Sequence, residues 1–317
     1  MQFIDADRVH ELLDYPALVQ AFERYHKEGI DVVDELLMEQ PGVTGKPTHF
    51  FLRAAWKRQG ALGAKLITVF PENESAGTGL PSVQAVYFVF DGRDGTPKAC
   101  IDGTALTYRK TAADSALGAK FLARENIDTM LMVGAGAMAP HLIRAHVAMR
   151  PSIRKVLIWN RTGSRARTLA ANLDINGIEF AATEDLAGAA HEADLISCAT
   201  MSPTALIKGE WLHGGVHLDL VGGFTNDMRE ADDEAVRRSR IYVDSRTTTV
   251  NHCGDISGPI KAGIMTPDDI EADLFDLCQR KRCGREHSDE ITFFKNGGGG
   301  HLDLMTARFV LTRAGGT

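Results

Sequence analysis

The spacing of apolar positions changes character near residue 107 of this 317-residue chain. From Asp5 to His26 it predicts two short helices, DADRVHELLD and PALVQAFERYHKEG, with Pro16 opening the second as first-turn prolines do. Three strand candidates follow at His49–Ala55, Ala61–Val69 and Val83–Asp91, of which the last alternates well. The last ends in DGRDG, a hairpin turn, and Pro97–Asp102 returns as its partner. A long helix is predicted over Thr107–Arg124. Beyond it strands and helices alternate. Strands are predicted at Met130–Val133, Val156–Asn160, Ile178–Ala181, Leu195–Ala199, His217–Val221 and Ile241–Val243. Helices are predicted over Ser164–Leu173 and Thr183–Ala190. Such alternation implies a parallel sheet covered by helices. The tail, Thr292–Thr317, starts as a strand, passes Gly297–Gly300 and becomes a helix over Leu302–Thr312.

The fold class expected is therefore α/β, a Rossmann dinucleotide-binding domain beside an α+β dimerisation and substrate domain. The substrate domain is placed at 1–120, completed by about 292–317, and the Rossmann domain at 121–291. A cleft between the two is where a substrate should meet a cofactor.

Composition narrows the class. Hydrophobic residues make up 44% of the chain, and the net charge is −7. An acidic chain argues against nucleic acid as a partner. No apolar run approaches the roughly 20 residues that span a bilayer. The acidic, amphipathic start MQFIDADRVHELL is not a signal peptide. The 5 cysteines are scattered and odd in number. A reduced, cytoplasmic protein without a zinc site is the expectation.

The stretch MLMVGAGAMA carries the cofactor signal. Four uncharged residues run into Gly134-Ala135-Gly136, then Ala137-Met138-Ala139, a G-x-G-x-x-A fingerprint. Glycines there let the backbone turn and approach a pyrophosphate, whose charge meets the free N–H groups of the helix start. After the next strand a carboxylate would bind the adenosine ribose of NAD. Asn160 stands there instead, followed by Arg161 and Thr162, which could receive a 2′-phosphate. NAD(H) and NADP(H) are both permitted. A solvated loop is the competing reading of Arg161.

Lys65 lies inside the apolar run GALGAKLITVF. A buried lysine is costly unless paired, so it marks either function or an ion pair tying strand to helix. Near a substrate it could neutralise a carboxylate or pass a proton. Arg109 and Lys110 sit where the long helix was expected to start, a poor place for cations beside the helix dipole. A carboxylate or a pyrophosphate would favour them there; a surface basic pair is the alternative.

LTYRKTAADSALGAKFLAREN resembles the signature of the ornithine cyclodeaminase/mu-crystallin family, and GAKLITVFPEN its lysine strand. VGAGAMA, WNRT, YVDS, GDI and TFFKNGGGGHLD match in order, so the resemblance spans nearly the whole chain. It implies a Rossmann domain with a dimerisation domain, working as a homodimer on small imino or amino acids. It places Lys65 on the substrate lysine, and Lys110 on an arginine that grips the α-carboxylate, with Thr111 beside it. Lysine keeps that charge but loses the bidentate fork, which Arg109 could supply instead. Ser82, in LPSVQA, matches a position near the nicotinamide. Thr200 and Val221 match positions lining the cofactor. Asn296 and Gly297 match a loop covering nicotinamide and substrate.

Two departures bear on the reaction. Cyclodeaminases carry a catalytic aspartate after a glycine pair, but here, in VGGFTNDMRE, Phe224 takes that place and Asp227 lies three positions on. Imine reduction needs only a hydride and a proton donor, which Lys65 could supply. In HFFLRAAW, Arg53 replaces an apolar pocket residue. Arginine in an apolar strand needs an anionic partner, which suggests a second substrate carboxylate. The family's early carboxylate-binding arginine has no clear match in DELLMEQPGV, and Arg53 could merely replace it. His49 and His301 are candidate donors nearby, or else a packed strand residue and a helix-start residue.

The expected activity is NAD(P)H-dependent reduction of a 2-imino acid to an L-amino acid, with iminosuccinate to aspartate placed first. Pyrroline-2-carboxylate reduction comes next, then alanine dehydrogenase and ornithine cyclodeaminase. A mu-crystallin-like small-ligand binder is the non-enzymatic alternative.

Overall fold

Asp5 and Asp14 start the first two helices by accepting the backbone N–H groups of Arg8 and Ala17, each at 2.9 Å. Such caps satisfy donors that a helix leaves without partners in its first turn. Throughout the computed structural model, which describes residues 1–42, 45, 47–74 and 79–315, similar local signals set the boundaries. Val43 of the DELLMEQPGV segment and the last two residues of the tail lie outside the described residues.

In chain order the strands are β1 (Gln2–Ile4), β2 (Val32–Pro41), β3 (Pro47–Lys57), β4 (Ala61–Val69), β5 (Val83–Asp91), β6 (Pro97–Asp102), β7 (Thr129–Val133), β8 (Lys155–Trp159), β9 (Glu179–Thr183), β10 (Leu195–Cys198), β11 (His217–Leu220), β12 (Arg240–Val243), β13 (Ile270–Asp273) and β14 (Thr292–Lys295). The helices are α1 (Ala6–Leu12), α2 (Tyr15–Glu28), α3 (Gly103–Leu122), α4 (Ala139–Met149), α5 (Gly163–Asn172), α6 (Leu186–Glu192), α7 (Asp233–Arg238), α8 (Arg246–Thr249), α9 (Gly254–Lys261), α10 (Leu274–Cys278) and α11 (Gly300–Arg313). Among the described residues no helix is long and apolar enough to cross a membrane.

The chain divides into two units, one of residues 1–110 with the tail from Gly299, the other of residues 111–298. Both crossings fall at elements expected to carry site residues: Lys110–Thr111 inside α3, and Gly298–Gly299 before α11. The sequence pattern put the first boundary near residue 120.

In the first unit, six described strands form one sheet in the order β1-β6-β5-β4-β3-β2, antiparallel except for β1 on β6. α11 packs on β3, β4 and β5 and on α2, and it is buried along most of its length. Two of these strands escaped the periodicity argument. β1 is three residues long and buries only Ile4. β2 is largely exposed and so carries no in–out alternation; its pairing with β3 along the whole strand defines it.

In the second unit, eight described strands form a parallel sheet in the order β9-β8-β7-β10-β11-β14-β12-β13. β7 is buried at every position, as an uncharged run feeding a glycine turn should be. The strand order reverses between β7 and β10, and ligands bind beyond the carboxyl ends of strands at such a switch point.

One helix start differs from expectation in a way that matters. α3 begins at Gly103, with Asp102 accepting the Ala105 N–H at 2.7 Å, rather than at Thr107. Arg109 and Lys110 therefore lie in its second turn, away from the positive end of the dipole, and need other partners.

Candidate active site

The first unit assembles a charged row across its sheet. Glu35 on β2 stands opposite Arg53 on β3, Arg53 opposite Lys65 on β4, and Lys65 opposite Tyr87 on β5. Directly paired residues share one face of a sheet, so this is a continuous transverse line of side chains. Onto it α11 brings Asp303. Its Oδ1 accepts from Lys65 Nζ at 3.0 Å and lies 3.0 Å from Lys110 Nζ. Lys65 also donates to Thr107 Oγ1 at 3.3 Å, and Lys110 to the Gly299 carbonyl at 3.3 Å. Lys65, Lys110 and Asp303 are all buried. Asp303 Oδ2 and the Tyr87 hydroxyl are buried too, without hydrogen-bond partners among the described residues. Buried polar atoms normally find partners, so these two mark a place where a ligand can supply them.

The electrostatics suit proton transfer. Burial pushes Lys65 down to about 7; Asp303 opposes that fall, while Lys110 and Arg53 add to it. Asp303 is held below the usual carboxylate range by Lys110 and Lys65, which outweigh the opposite effect of its burial. The Tyr87 phenol is pushed well up by burial, with Asp303 adding to it, and stays neutral.

Arg53 departs from the reading of an arginine short of an anion. Its Nε lies 3.3 Å from Glu35 Oε2, and its guanidinium stacks 4.7 Å from the Phe51 ring centroid. The Glu35 contact meets the charge, yet Nε makes no aligned hydrogen bond.

Other expected residues do not join the row. Arg109 donates to His10 Nδ1 and to the His10 carbonyl, both at 3.0 Å, and stacks on Tyr15 at 4.8 Å. It ties α3 to α1 inside the first unit. His49 lies four positions along β3 from Arg53, with Nδ1 3.4 Å from Glu39 on β2. His301 is buried edge-on to His26, ring centroids 6.1 Å apart, and burial holds it well below the usual imidazole range. Lys110 and Arg53 are close enough to add to that lowering, so the ring stands next to the charged row. Ser82 stands just before β5; its carbonyl accepts the Phe70 N–H at 2.8 Å, and its hydroxyl is buried without a partner among the described residues.

The second unit carries the dinucleotide features. Gly134, with φ of 108°, leaves β7 as its N–H donates to the Trp159 carbonyl at 2.8 Å. A Cβ there would come within 2.7 Å of the Ala199 carbonyl oxygen, so only glycine fits. At Gly136 the same test meets nothing within 4 Å, which leaves room for a ligand beside the turn through Ala137 and Met138 into α4. α4 starts without a side-chain cap. A cleft of about 300 Å³ opens here, lined in part by Gly134, Gly136, Asn160, Arg161, Thr162 and Thr200. Asn160 spends its amide locally: Oδ1 accepts from the Ala135 N–H at 3.1 Å, and Nδ2 donates to the Thr162 carbonyl at 3.0 Å. It braces the glycine turn. Arg161 and Thr162 are exposed. A close-approach turn, an uncapped helix start and an adjoining cleft fit a dinucleotide, with its pyrophosphate on the N–H groups of Gly136 to Met138, while the Ala139 N–H closes the turn on the Gly136 carbonyl at 3.1 Å.

A second layer holds this surface and was not foreseen. Thr200 donates from N and from Oγ1 to Glu230 Oε1, both at 2.7 Å. Lys295 binds Asp255 Oδ2 at 3.1 Å and the Gly222 carbonyl, which fixes the loop after Val221. Asp244 accepts the N–H groups of Gly297 and Gly298, at 3.1 and 2.6 Å, and burial pushes it up to about 6. Asn296 donates to the Thr111 carbonyl and to Ser115, each at 3.0 Å. Phe224 and Asp227 are exposed, and Asp227 is taken by Thr225 of its own turn at 2.5 Å. Neither offers the buried base of a cyclodeaminase.

Two of the missed residues shared one signal. Asp303 and Asp255 are acids in otherwise apolar or glycine-rich surroundings, the same oddity that marks Lys65, whereas Glu230 lies in a charged run that gives no such signal.

Rossmann topology, a glycine cradle and a buried lysine pocket define an NAD(P)-dependent oxidoreductase. The chain belongs to the ornithine cyclodeaminase/mu-crystallin family, whose model matches residues 11–317. It is 45% identical over 267 residues to a Delta(1)-pyrroline-2-carboxylate reductase of Paracoccus denitrificans, covering 84% of each chain. It is 37% identical to the protein SAR DEFICIENT 4 of Arabidopsis thaliana, over 97% of this chain and 96% of that one. Among solved structures, Delta(1)-pyrroline-2-carboxylate reductase of Thermococcus litoralis, in complex with NADH and L-proline, superposes with a TM-score of 0.90 at 29% identity, covering 99% and 97% of the two chains. The iminosuccinate reductase of Paracoccus denitrificans with NAD+ gives 0.85 at 26% identity, covering 99% and 96%.

Proposed function

We propose that this chain reduces a cyclic 2-imino monocarboxylate, Δ1-pyrroline-2-carboxylate, to L-proline with NADH or NADPH. The observation that carries this choice is Glu35 beside Arg53. The dicarboxylate reading needed an arginine lacking an anion, and Arg53 has one in its own sheet. The pyrroline-2-carboxylate reductases among its relatives support the same choice.

The residues divide the work as follows. Lys110, with Arg53, holds the single carboxylate by charge. Lys65 gives its proton to the imine nitrogen. A donor lowered to about 7 is half protonated near neutral pH and acidic enough to release the proton. Asp303 anchors both lysines. The turn from Gly134 to Met138 would hold a nicotinamide dinucleotide, which would supply the hydride for the C=N carbon. One hydride and one proton convert C=N into CH–NH, and solvent reprotonates Lys65. The exposed apolar side chains Val32, Leu36, Leu37 and Trp56 on β2 and β3 support a homodimer built on this sheet.

The test follows NADH and NADPH oxidation with pyrroline-2-carboxylate, with oxaloacetate plus ammonia, and with pyruvate plus ammonia. The cyclic imine is expected to give the highest kcat/KM. Preference for oxaloacetate plus ammonia would return iminosuccinate to first place.

A further inference from the structure

We infer that Glu35 determines substrate specificity, setting the pocket to accept one carboxylate per substrate and to turn away dicarboxylic imines. This rests on the function proposed above. With Lys65 protonated, the row and its helix hold three cations, Arg53, Lys65 and Lys110, against two carboxylates, Glu35 and Asp303. One positive charge is left over, which a monocarboxylate neutralises. Asp303 is committed to both lysines, so Glu35 is the anion that decides whether Arg53 can call for a second substrate carboxylate.

The register fixes this role. Glu35 and Arg53 are directly paired, and Arg53 is in turn paired with Lys65, so a carboxylate drawn to Arg53 arrives beside Glu35. Like charges placed side by side repel. Glu39, on the same face of β2 and opposite His49, adds a second acid along that approach. The Glu35 side chain is 47% exposed and that of Arg53 28%, so the pair is reachable and its anion is replaceable without opening the core. Arg53 Nε makes no aligned hydrogen bond to Glu35. Glu35 thus offsets the charge of Arg53 without a directed hydrogen bond.

The experiment compares native chain, Glu35→Gln, Glu35→Asp and the double variant Glu35→Gln/Arg53→Met. The ratio of kcat/KM for oxaloacetate plus ammonia to that for pyrroline-2-carboxylate is measured with saturating NADH. Glu35→Gln is expected to raise the ratio at least tenfold, Glu35→Asp to keep it near the native value, and the double variant to cancel the gain. Inhibition by L-aspartate relative to L-proline is expected to follow the same order. A ratio unchanged in Glu35→Gln, or a gain that survives loss of Arg53, overturns the inference while native reduction of the cyclic imine leaves the proposed function standing. If the native chain does not reduce the cyclic imine, both fall.

Discussion

The lysine pocket of the first unit and the glycine cleft of the second are built by opposite means. The cleft uses backbone: a turn at Gly134, an uncapped helix start at α4, and side chains such as Asn160 that brace the turn. Its parts lie close together in sequence. The pocket uses buried side-chain charges gathered from β2, β3, β4, α3 and α11; Lys65 and Asp303 meet across 238 residues of chain. Backbone N–H groups need no counter-ion and cannot titrate. Buried ammonium groups need a carboxylate and can lose a proton. The first design does not change with pH, while the second has a proton that can be given up.

Each prediction presses on one side of that contrast. The largest effect is expected from Lys65→Met, which removes the proton donor. Its kcat for imine reduction should fall about 10²- to 10⁴-fold, while NADH binding measured by fluorescence stays near native. Retained turnover would move the acid elsewhere, and a native chain that binds NADH and ligand without turnover, with affinity unchanged in Lys65→Met, would favour the small-ligand binder.

Asp303→Asn should come next. Removing one member of a buried ionic cluster costs about 3–5 kcal/mol, read as a fall in the denaturant midpoint. A stability within 1 kcal/mol of native, on the order of measurement scatter, would show that the lysines find other partners.

Gly134→Val tests the backbone design. The side chain meets the Ala199 carbonyl and the positive φ, a strain of about 1–3 kcal/mol. NADH affinity should drop roughly 5- to 150-fold, with the pH profile of the residual activity unmoved.

The smallest effect is that profile itself. In the proposed reaction Lys65 is the acid, and it loses its proton as pH rises through about 7. The kcat/KM for reduction should therefore fall about tenfold per unit above that point, and proline oxidation, which needs the neutral amine, should rise over the same range. Asp303 raises the Lys65 value, so in Asp303→Asn the limb moves to lower pH. A limb at the same pH in that variant would assign the titration to another group.

The parts that read well from sequence are the local ones. The run MLMVGAGAMA specified strand, turn and helix because a buried strand and a tight turn each restrict residue choice at consecutive positions. Lys65 stood out because a charge inside an apolar strand breaks its own pattern. β2 did not read, since a mostly exposed strand has no alternation to show, and with it Glu35 went unnoticed. Arg109 and Lys110 read as a pair, yet one turns to His10 and the other to Asp303, since neighbours on a helix point about 100° apart.

The sequence by itself determined the parallel dinucleotide sheet, its glycine cradle, a lysine inside an apolar strand, and Phe224 at the place where cyclodeaminases carry an aspartate. Tertiary structure decided what that lysine and Arg53 are charged against. Whether Arg53 seeks a second substrate carboxylate depends on the β2–β3 register that sets Glu35 beside it, and the acidity of Lys65 depends on burial and on Asp303 arriving from the far end of the chain. Ionic pairing is a property of distance in space, which local pattern does not encode.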